Sequence, residues 1–475
     1  MPLFEGRHNA ENKIIVIQER VDSIIVGAAE VCKEIAAKIA AKSSSPNRFL
    51  GHQGAENWKS NVGDLYLIPP GTTYGHDGNQ NPVGYRIFMS AVKQARAKEL
   101  FINKGNMKNM KKLFVSICML CMIIPAFPQT SDTEKLFDKK HVKSTLEKVT
   151  MWQLANPKHD PRTWTNGALF TGIFAAWKTT KSKAIYKAMI EMGEAVKWMP
   201  GERWYFSDDL AICQTYIDLY RNEKRREMIQ PTIDTVAKFM AKPYPVQDIE
   251  VIKWWWCDAL FMAPPVLVKL GIITGNKEYL SKNDEFYKES YDLLYNREEQ
   301  LFSRDLDYVI KNDGKDRYEA NGKRIFWSRG NGWVMGGLVR ILKELPKNYP
   351  QRPFYEQLFK EMAAKIASIQ QSDGLWRASL LDPDSYPGGE VSGSGFFCYA
   401  LAWGINARLL DKSAYLPVVE KAWIALNGCV NEEGRVGWVQ PIGDQPRLNT
   451  NADSWELYGT GAFLLAGSEV IKLKR

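Results

Sequence analysis

Histidine is scarce in this 475-residue chain. There are five, at His8, His52, His76, His141 and His159, and none beyond residue 159. A Ser-His-Asp or Cys-His site built within residues 160–475 is therefore excluded, and so is a histidine zinc site there. The seven cysteines contain one C-x-x-C spacing, Cys118/Cys121, which lies in an apolar run, so neither a disulfide framework nor a thiolate metal site is indicated. Long runs of one charge are missing too. Residues 1–129 hold 16 basic and 10 acidic side chains, and the rest of the chain holds 47 and 44, so most of the net +9 belongs to the leading part. A surface that tracks nucleic-acid phosphates needs a concentrated basic stripe, and nucleic acid is not an expected partner. An apolar fraction of 45% with 25% charged residues is that of an ordinary globular protein.

The longest apolar run sits inside residues 107–129, MKNMKKLFVSICMLCMIIPAFPQ. Lys108, Lys111 and Lys112 open it, Leu113 to Ile124 form an apolar stretch, and Pro125 to Gln129 form a processing region. This is the three-part layout of a signal peptide, and the apolar run is too short for a comfortable membrane span. Three readings are open: a true start at Met107 or Met110, a buried apolar helix behind a genuine N-terminal module, or a signal anchor. The first makes residues 1–106 an upstream or fusion extension. It implies export to the periplasm, with no stable membrane insertion after processing. Residues 1–106 carry no assigned function, and His76-Asp77 within a Gly-rich stretch reads as a polar turn.

From about residue 132 apolar residues recur at three- and four-residue spacing. Helices are expected over 135–154, 168–178, 183–197, 209–222, 228–241, 258–270, 283–294, 332–345, 354–370, 395–408, 415–427 and 460–472, with few strands. Two turns resemble each other: Asp373-Gly374-Leu375-Trp376 and Glu433-Gly434-Arg435-Val436-Gly437-Trp438. Helix hairpins with such recurring turns suit a closed toroid, because one hairpin cannot cover its own apolar face.

Tryptophan is abundant where histidine is missing. Fifteen of the 16 lie at or after Trp152. Trp403 and Trp423, among Ala and Leu at helical spacing, read as core. Trp204, Trp254, Trp255, Trp256, Trp327, Trp333, Trp376, Trp438 and Trp455 sit beside charged residues or glycine and are expected to line a cleft. Flat indole faces stack on sugar rings, and core packing is the competing explanation.

Without histidine, carboxyl groups are the natural acid–base candidates. Asp258 lies in Trp254-Trp255-Trp256-Cys257-Asp258-Ala259-Leu260-Phe261, at a loop-to-helix junction in apolar surroundings. It is either a helix N-cap or a carboxyl whose proton affinity is raised by desolvation. Asp208-Asp209 precedes another helix; one could cap it and the other face a cleft, with Gln214 on the same helix. In Phe326-Trp327-Ser328-Arg329-Gly330-Asn331-Gly332-Trp333, Arg329 is a candidate partner for a substrate carboxylate. The 390–396 segment, EVSGSGF, has no phosphate-loop lysine.

These segments together resemble glycoside hydrolase family 105, the unsaturated rhamnogalacturonyl and related unsaturated glucuronyl hydrolases. The residues carrying the resemblance are Asp208-Asp209 with Gln214, WWWCDALFMAPP from Trp254, FWSRGNGW from Phe326, DGLWRASLLDP from Asp373, EVSGSGFFCYALAWGIN from Glu390 and YGTGAFLLAGSE from Tyr458. The resemblance covers residues 135–475 and implies an all-α (α/α)6 barrel. It also implies a glycosidase that removes a 4,5-unsaturated uronic acid from lyase-generated oligosaccharides by hydrating the ring vinyl ether. Asp258 matches the family's general acid/base, and the second aspartate falls at Asp208-Asp209, with Asp208 preferred. Substrate contacts are then expected from Asp209, Gln214, Trp254, Trp255, Trp327, Arg329, Trp333 and Trp376. No metal or organic cofactor is expected. The family often uses a histidine near the substrate, which this chain lacks after His159, so the preferred uronide or its partner sugar is expected to differ. Competing readings are an inverting glycosidase using two carboxyls on saturated glycosides, a polysaccharide lyase, and a non-catalytic carbohydrate-binding protein.

Overall fold

A computed structural model describes residues 133–242, 252–448 and 450–474. The leader-like segment 107–129, the extension 1–106 and His76-Asp77 lie outside the described residues. The described chain holds thirteen helices and one two-stranded hairpin.

Six helix hairpins follow one another, each an outer helix and then an inner one. They are α1 (Lys139–Ala155) with α2 (Trp164–Thr180), α3 (Lys183–Ala195) with α4 (Cys213–Glu223), and α5 (Gln230–Ala241) with α7 (Pro264–Thr274). The one-turn α6 (Ala259–Met262) precedes α7. The series continues with α8 (Lys277–Leu294) and α9 (Ser328–Glu344), α10 (Arg352–Ser368) and α11 (Val391–Asn406), and α12 (Lys412–Gly428) and α13 (Leu457–Val470). The inner helices touch in the order α2, α4, α7, α9, α11, α13, and α13 returns to α2. The ring is closed, which makes this the (α/α)6 barrel expected from the sequence.

Composition sorts the two layers. Every residue of α13 and all of α11 except Asn406 are buried, and both are rich in Gly, Ala and apolar side chains. Outer helices bury one stripe: Thr232, Val236 and Phe239 in α5, at spacings of four and three. Small residues let the inner helices approach. A Cβ at Gly461 of α13 would stand 2.5 Å from the carbonyl oxygen of Ala168 in α2.

The two similar turns now have a common cause. Gly374 follows α10 with φ +95° and Gly434 follows α12 with φ +106°. A Cβ at Gly374 would lie 2.5 Å from the Lys421 carbonyl in α12, and one at Gly434 would lie 2.9 Å from the Lys148 carbonyl in α1. Each turn therefore presses its glycine onto the next outer helix around the ring, in a conformation that side chains resist.

Most helix boundaries lie a few residues from expectation, as for α8, which starts at Lys277 and not at 283; two of the differences have a local cause. The helix expected over 258–270 is broken at Ala263, because Pro264 and Pro265 have no N–H to donate and restart a helix at its first turn. The helix expected from 209 begins at Cys213, behind a 3-10 turn over Ser207–Leu210.

All six inner helices run the same way. Their first residues, or the turns before them, gather at one mouth of the barrel, while the second halves of all six line a hollow at the other. Helix N-termini carry partial positive charge, so the first mouth favours anionic ligands.

Candidate active site

A cleft of about 310 Å³ opens at that mouth, lined by Trp164, Asp208, Trp256, Asp258, Met262, Arg304, Ile442, Gly443, Asp444 and Arg447. Fifty residues of sequence separate its two central carboxyls. The ring brings them together, because Asp208 precedes α4, Asp258 precedes α6 and α7, and α4 and α7 are neighbours.

Neither carboxyl is a helix cap. Asp258 stands at the N-cap position of α6 yet makes no capping hydrogen bond. Asp208 makes none either, and its Oδ1 is buried without a partner. Burial pushes the Asp208 carboxyl up to about 7, and the neighbouring charge of Asp258 adds to the shift. Burial also raises Asp258, against opposing pulls from Arg304 and Arg329. The apolar wall has a defined source: Trp256 stacks on Phe206 at 4.7 Å, and Trp164 stacks on Tyr458 at 5.2 Å.

Arg304 is the cation beside the pair, with Nε 3.9 Å from Asp258 Oδ2 and a close pairing to Asp305. It follows a short hairpin of β1 (Tyr295–Asn296) and β2 (Leu301–Phe302). Two contacts fix its place. The Cys257 N–H donates to the Arg304 carbonyl at 2.8 Å. Asn331 brackets Phe302, accepting its N–H at 2.8 Å and donating to its carbonyl at 3.0 Å. The Asn of the Arg329-Gly330-Asn331 segment thus positions Arg304 at the cleft.

Several expected substrate contacts belong to the scaffold instead. Arg329 is fully buried. It donates to the carbonyls of Gln440, Pro441 and Gly443 at 2.7–3.1 Å, and lies 4.3 Å over the Trp327 ring. Its fork satisfies buried carbonyls and so anchors the loop that bears Ile442, Gly443, Asp444 and Arg447. Trp327 is buried beside it and donates Nε1–H to Gln440 Oε1 at 3.3 Å. Gln214 is likewise interior: its amide donates to the Phe261 carbonyl at 2.7 Å and accepts from Arg340. Asp209 turns away from the cleft to Arg203, which binds it through backbone and guanidinium N–H groups, each at 2.6 Å.

The indoles divide the same way. Trp254, Trp333 and Trp376 are essentially unexposed. Trp254 packs edge-on against Phe286, Trp333 wedges between Phe261 and Phe396, and Trp376 donates to the Ile366 carbonyl at 2.9 Å. Their large apolar bodies fill the space between helix layers. Trp255 is half-buried against Trp256 and does not line the cleft. The sequence reading missed Arg304, Arg447, Trp164 and Met262 as site residues, while Trp256, one of the indoles expected at a cleft, does line it. Trp256 had a signal in its Trp run; the others depend on which loops meet at the mouth. His159 lies in the loop before α2 and pairs with Glu456 at 2.9 Å, and does not line the cleft.

A helical barrel whose inner-helix mouth holds two uncapped, apolar-walled carboxyls beside an arginine defines a glycosidase-type site. The chain belongs to Glycosyl Hydrolase Family 88, which matches residues 133–474. A protein of Formosa agariphila described as an unsaturated 3S-rhamnoglycuronyl hydrolase is 43% identical over 379 residues, 77% of this chain and all of that protein. A solved structure named as a polysaccharide lyase is 34% identical, with TM-score 0.66, and covers 70% of this chain and 97% of that one. A solved possible member of family 105 from Salmonella enterica has the same fold, with TM-score 0.59 at 21% identity, and covers 70% of this chain and 94% of that one. The resemblance read from the motifs is thus upheld: the chain is a glycoside hydrolase of the kind that processes unsaturated uronides.

Proposed function

We propose that the chain removes a 4,5-unsaturated glucuronic acid from a sulfated rhamnose at the non-reducing end of lyase-generated oligosaccharides. The observation that carries this reading is the pair of uncapped carboxyls, Asp208 and Asp258, on one cleft with raised proton affinity. Vinyl-ether hydration needs an acid that is protonated near neutral pH and a carboxylate that can then take a proton from water. Asp258 gives its proton to C4, water adds at C5, and the proton lost by that water returns to the carboxyl pair. The C5 hemiketal then opens to a ketone, C1 becomes an aldehyde, and the rhamnosyl oxygen leaves with a proton.

The 43% identity to the Formosa agariphila protein supports a 3-sulfated rhamnose as the partner sugar. The cleft has cations suited to two anionic groups. Arg304 stands beside the acid, where the uronate carboxylate would sit. Arg447 is half-exposed at the rim, with its nearest carboxylate, Asp444, at 3.8 Å. Guanidinium forks bind carboxylate and sulfate oxygens in matched pairs. We further propose that residues 107–129 direct export, which places the enzyme where polysaccharide fragments arrive.

A lyase would need a base such as histidine or tyrosine at the cleft, and neither is among the residues that line it. The test is a matched pair of unsaturated uronyl–rhamnose disaccharides, with and without the 3-sulfate, followed by ultraviolet loss of the conjugated double bond. The sulfated compound is expected to be consumed with the higher kcat/KM. Preference for the unsulfated one would overturn the sulfate assignment, and eliminative cleavage of polymer, which forms the conjugated double bond and raises the absorbance, would make the chain a lyase.

A further inference from the structure

The opposite mouth of the barrel holds a second, larger hollow of about 820 Å³ that the proposed reaction does not use. Its lining carries eight Lys or Arg side chains and three carboxylates, Asp218, Glu344 and Glu469. The carboxylates are already engaged. Glu344 pairs with Arg221 at 2.7 Å and Lys269 at 3.1 Å, and Asp218 pairs with Lys269 and, at 3.4 Å, with Arg340. Glu469 pairs with Lys343 at 2.5 Å and Lys472 at 2.8 Å. Five cations are held by three carboxylates, and Glu344 stays ionised, with its pKa lowered to about 2 despite burial because Lys269 and Arg221 hold it.

Lys139, Lys143 and Lys178 remain, with no ion pair among the described residues, at exposed positions on the hollow's lining. Lys178 lies in the last turn of α2, where the helix dipole favours a cation. Lys139 and Lys143 have no such reason. They occupy the first two turns of α1, where the dipole disfavours positive charge, and they repel each other at four-residue spacing. Asp138 accepts from the N–H groups of Lys140 and His141, and Glu147, four residues beyond Lys143 on the same helix, makes no ion pair with it among the described residues. The helix dipole does not favour this arrangement, and both lysines line the hollow.

We propose that this hollow binds a sulfate- or phosphate-bearing anion, held at its charged oxygens by Lys139, Lys143 and Lys178 over the Lys343 and Lys472 ammonium groups. The volume lies within the range of small-molecule sites. The ligand's source is either a free inorganic oxyanion or the sulfate ester of an acidic oligosaccharide. Because the site lies at the far end of the inner helices from Asp208 and Asp258, its occupancy is independent of turnover at the cleft.

The full chain is titrated calorimetrically with sodium sulfate, with sodium phosphate, and with a sulfated uronate oligosaccharide whose non-reducing end is saturated. The comparison protein is the triple variant Lys139→Glu, Lys143→Glu, Lys178→Glu. The wild type is expected to bind at least one of the three, and the variant to bind it about tenfold or more weakly with kcat unchanged, a tenfold loss being about 1.4 kcal/mol. Tightest binding of the oligosaccharide assigns a glycan ligand; equal or tighter binding of the inorganic ions assigns a free oxyanion. No binding of any of the three, or binding that the variant retains in full, overturns the proposal. Should the variant misfold, acetylation of the wild type decides instead. The bound anion must protect these three lysines in the peptide map, and unprotected lysines at a saturating concentration overturn it.

Discussion

Asp258 raises the proton affinity of Asp208: the two carboxyls line one cleft from the starts of neighbouring inner helices, and Asp208 is pushed up to about 7. Burial is the larger cause and the like charge the second. The Asp258→Asn enzyme should therefore lose turnover and also titrate Asp208 at a lower pH, by carboxyl carbon NMR. An unchanged Asp208 titration would mean that the pair is not electrically coupled.

The pair should also set the upper limit of activity. A carboxyl that must donate a proton is lost as pH rises, so kcat/KM should decline on the alkaline side as Asp258, whose proton affinity burial raises, gives up its proton. Arg304 pulls Asp258 down. Replacing it, as Arg304→Met, should move this descending limb to higher pH and raise KM for an anionic substrate. A limb that stays in place would remove Arg304 from the electrostatics of the acid.

Stability should follow the same groups with a definite sign. The folded protein holds the Asp208 proton more tightly than the unfolded chain, whose ordinary aspartate value is 3.8. Between the two values the folded state binds more protons. This contribution is present in full below pH 3.8 and is lost as pH rises towards about 7. The Asp208→Asn protein carries no such penalty, so its Tm should exceed that of the wild type most clearly above pH 7. Equal Tm differences at pH 5 and pH 8 would contradict the assignment.

Arg329 and Trp333 test scaffold against cleft. Trp333→Ala should cost about 3–5 kcal/mol, the usual range for removing a buried aromatic. Trp333→Phe should keep KM near the wild-type value. Arg329→Lys cannot satisfy the carbonyls of Gln440, Pro441 and Gly443 together. It should loosen the 440–447 loop, raise its amide hydrogen exchange and raise KM through Arg447. A direct substrate contact at Arg329 would instead raise KM without faster exchange in that loop.

The barrel was legible because its cause is local: helical periodicity, recurring Gly turns and inner segments of small and apolar residues such as 391–405 are written along the chain. Asp258 was legible because an acidic residue in apolar company is rare, whereas Asp208 was singled out from Asp209 only through the family resemblance. The indoles were misread for a physical reason. Trp254, Trp327, Trp333 and Trp376 stand beside Gly or charged residues in sequence, but the neighbours that bury them come from other hairpins. Arg304 and Arg447 were invisible for the same reason, since each becomes a site residue only when the hairpin after α8 and the loop before α13 meet at one mouth. Arg329 was found as important and assigned the wrong partner, because a guanidinium suited to a carboxylate also suits three backbone carbonyls.

The most direct test of the carboxyl-pair account is turnover of an unsaturated uronyl–rhamnose 3-sulfate in deuterated water, with the fresh product examined by NMR. Hydration driven by Asp258 delivers one solvent deuteron to one face of C4, so the account predicts a single C4-deuterated diastereomer, absent with Asp258→Asn. Direct attack at the anomeric carbon releases an unsaturated sugar that rearranges in free solution. Equal amounts of both C4 diastereomers would therefore contradict it.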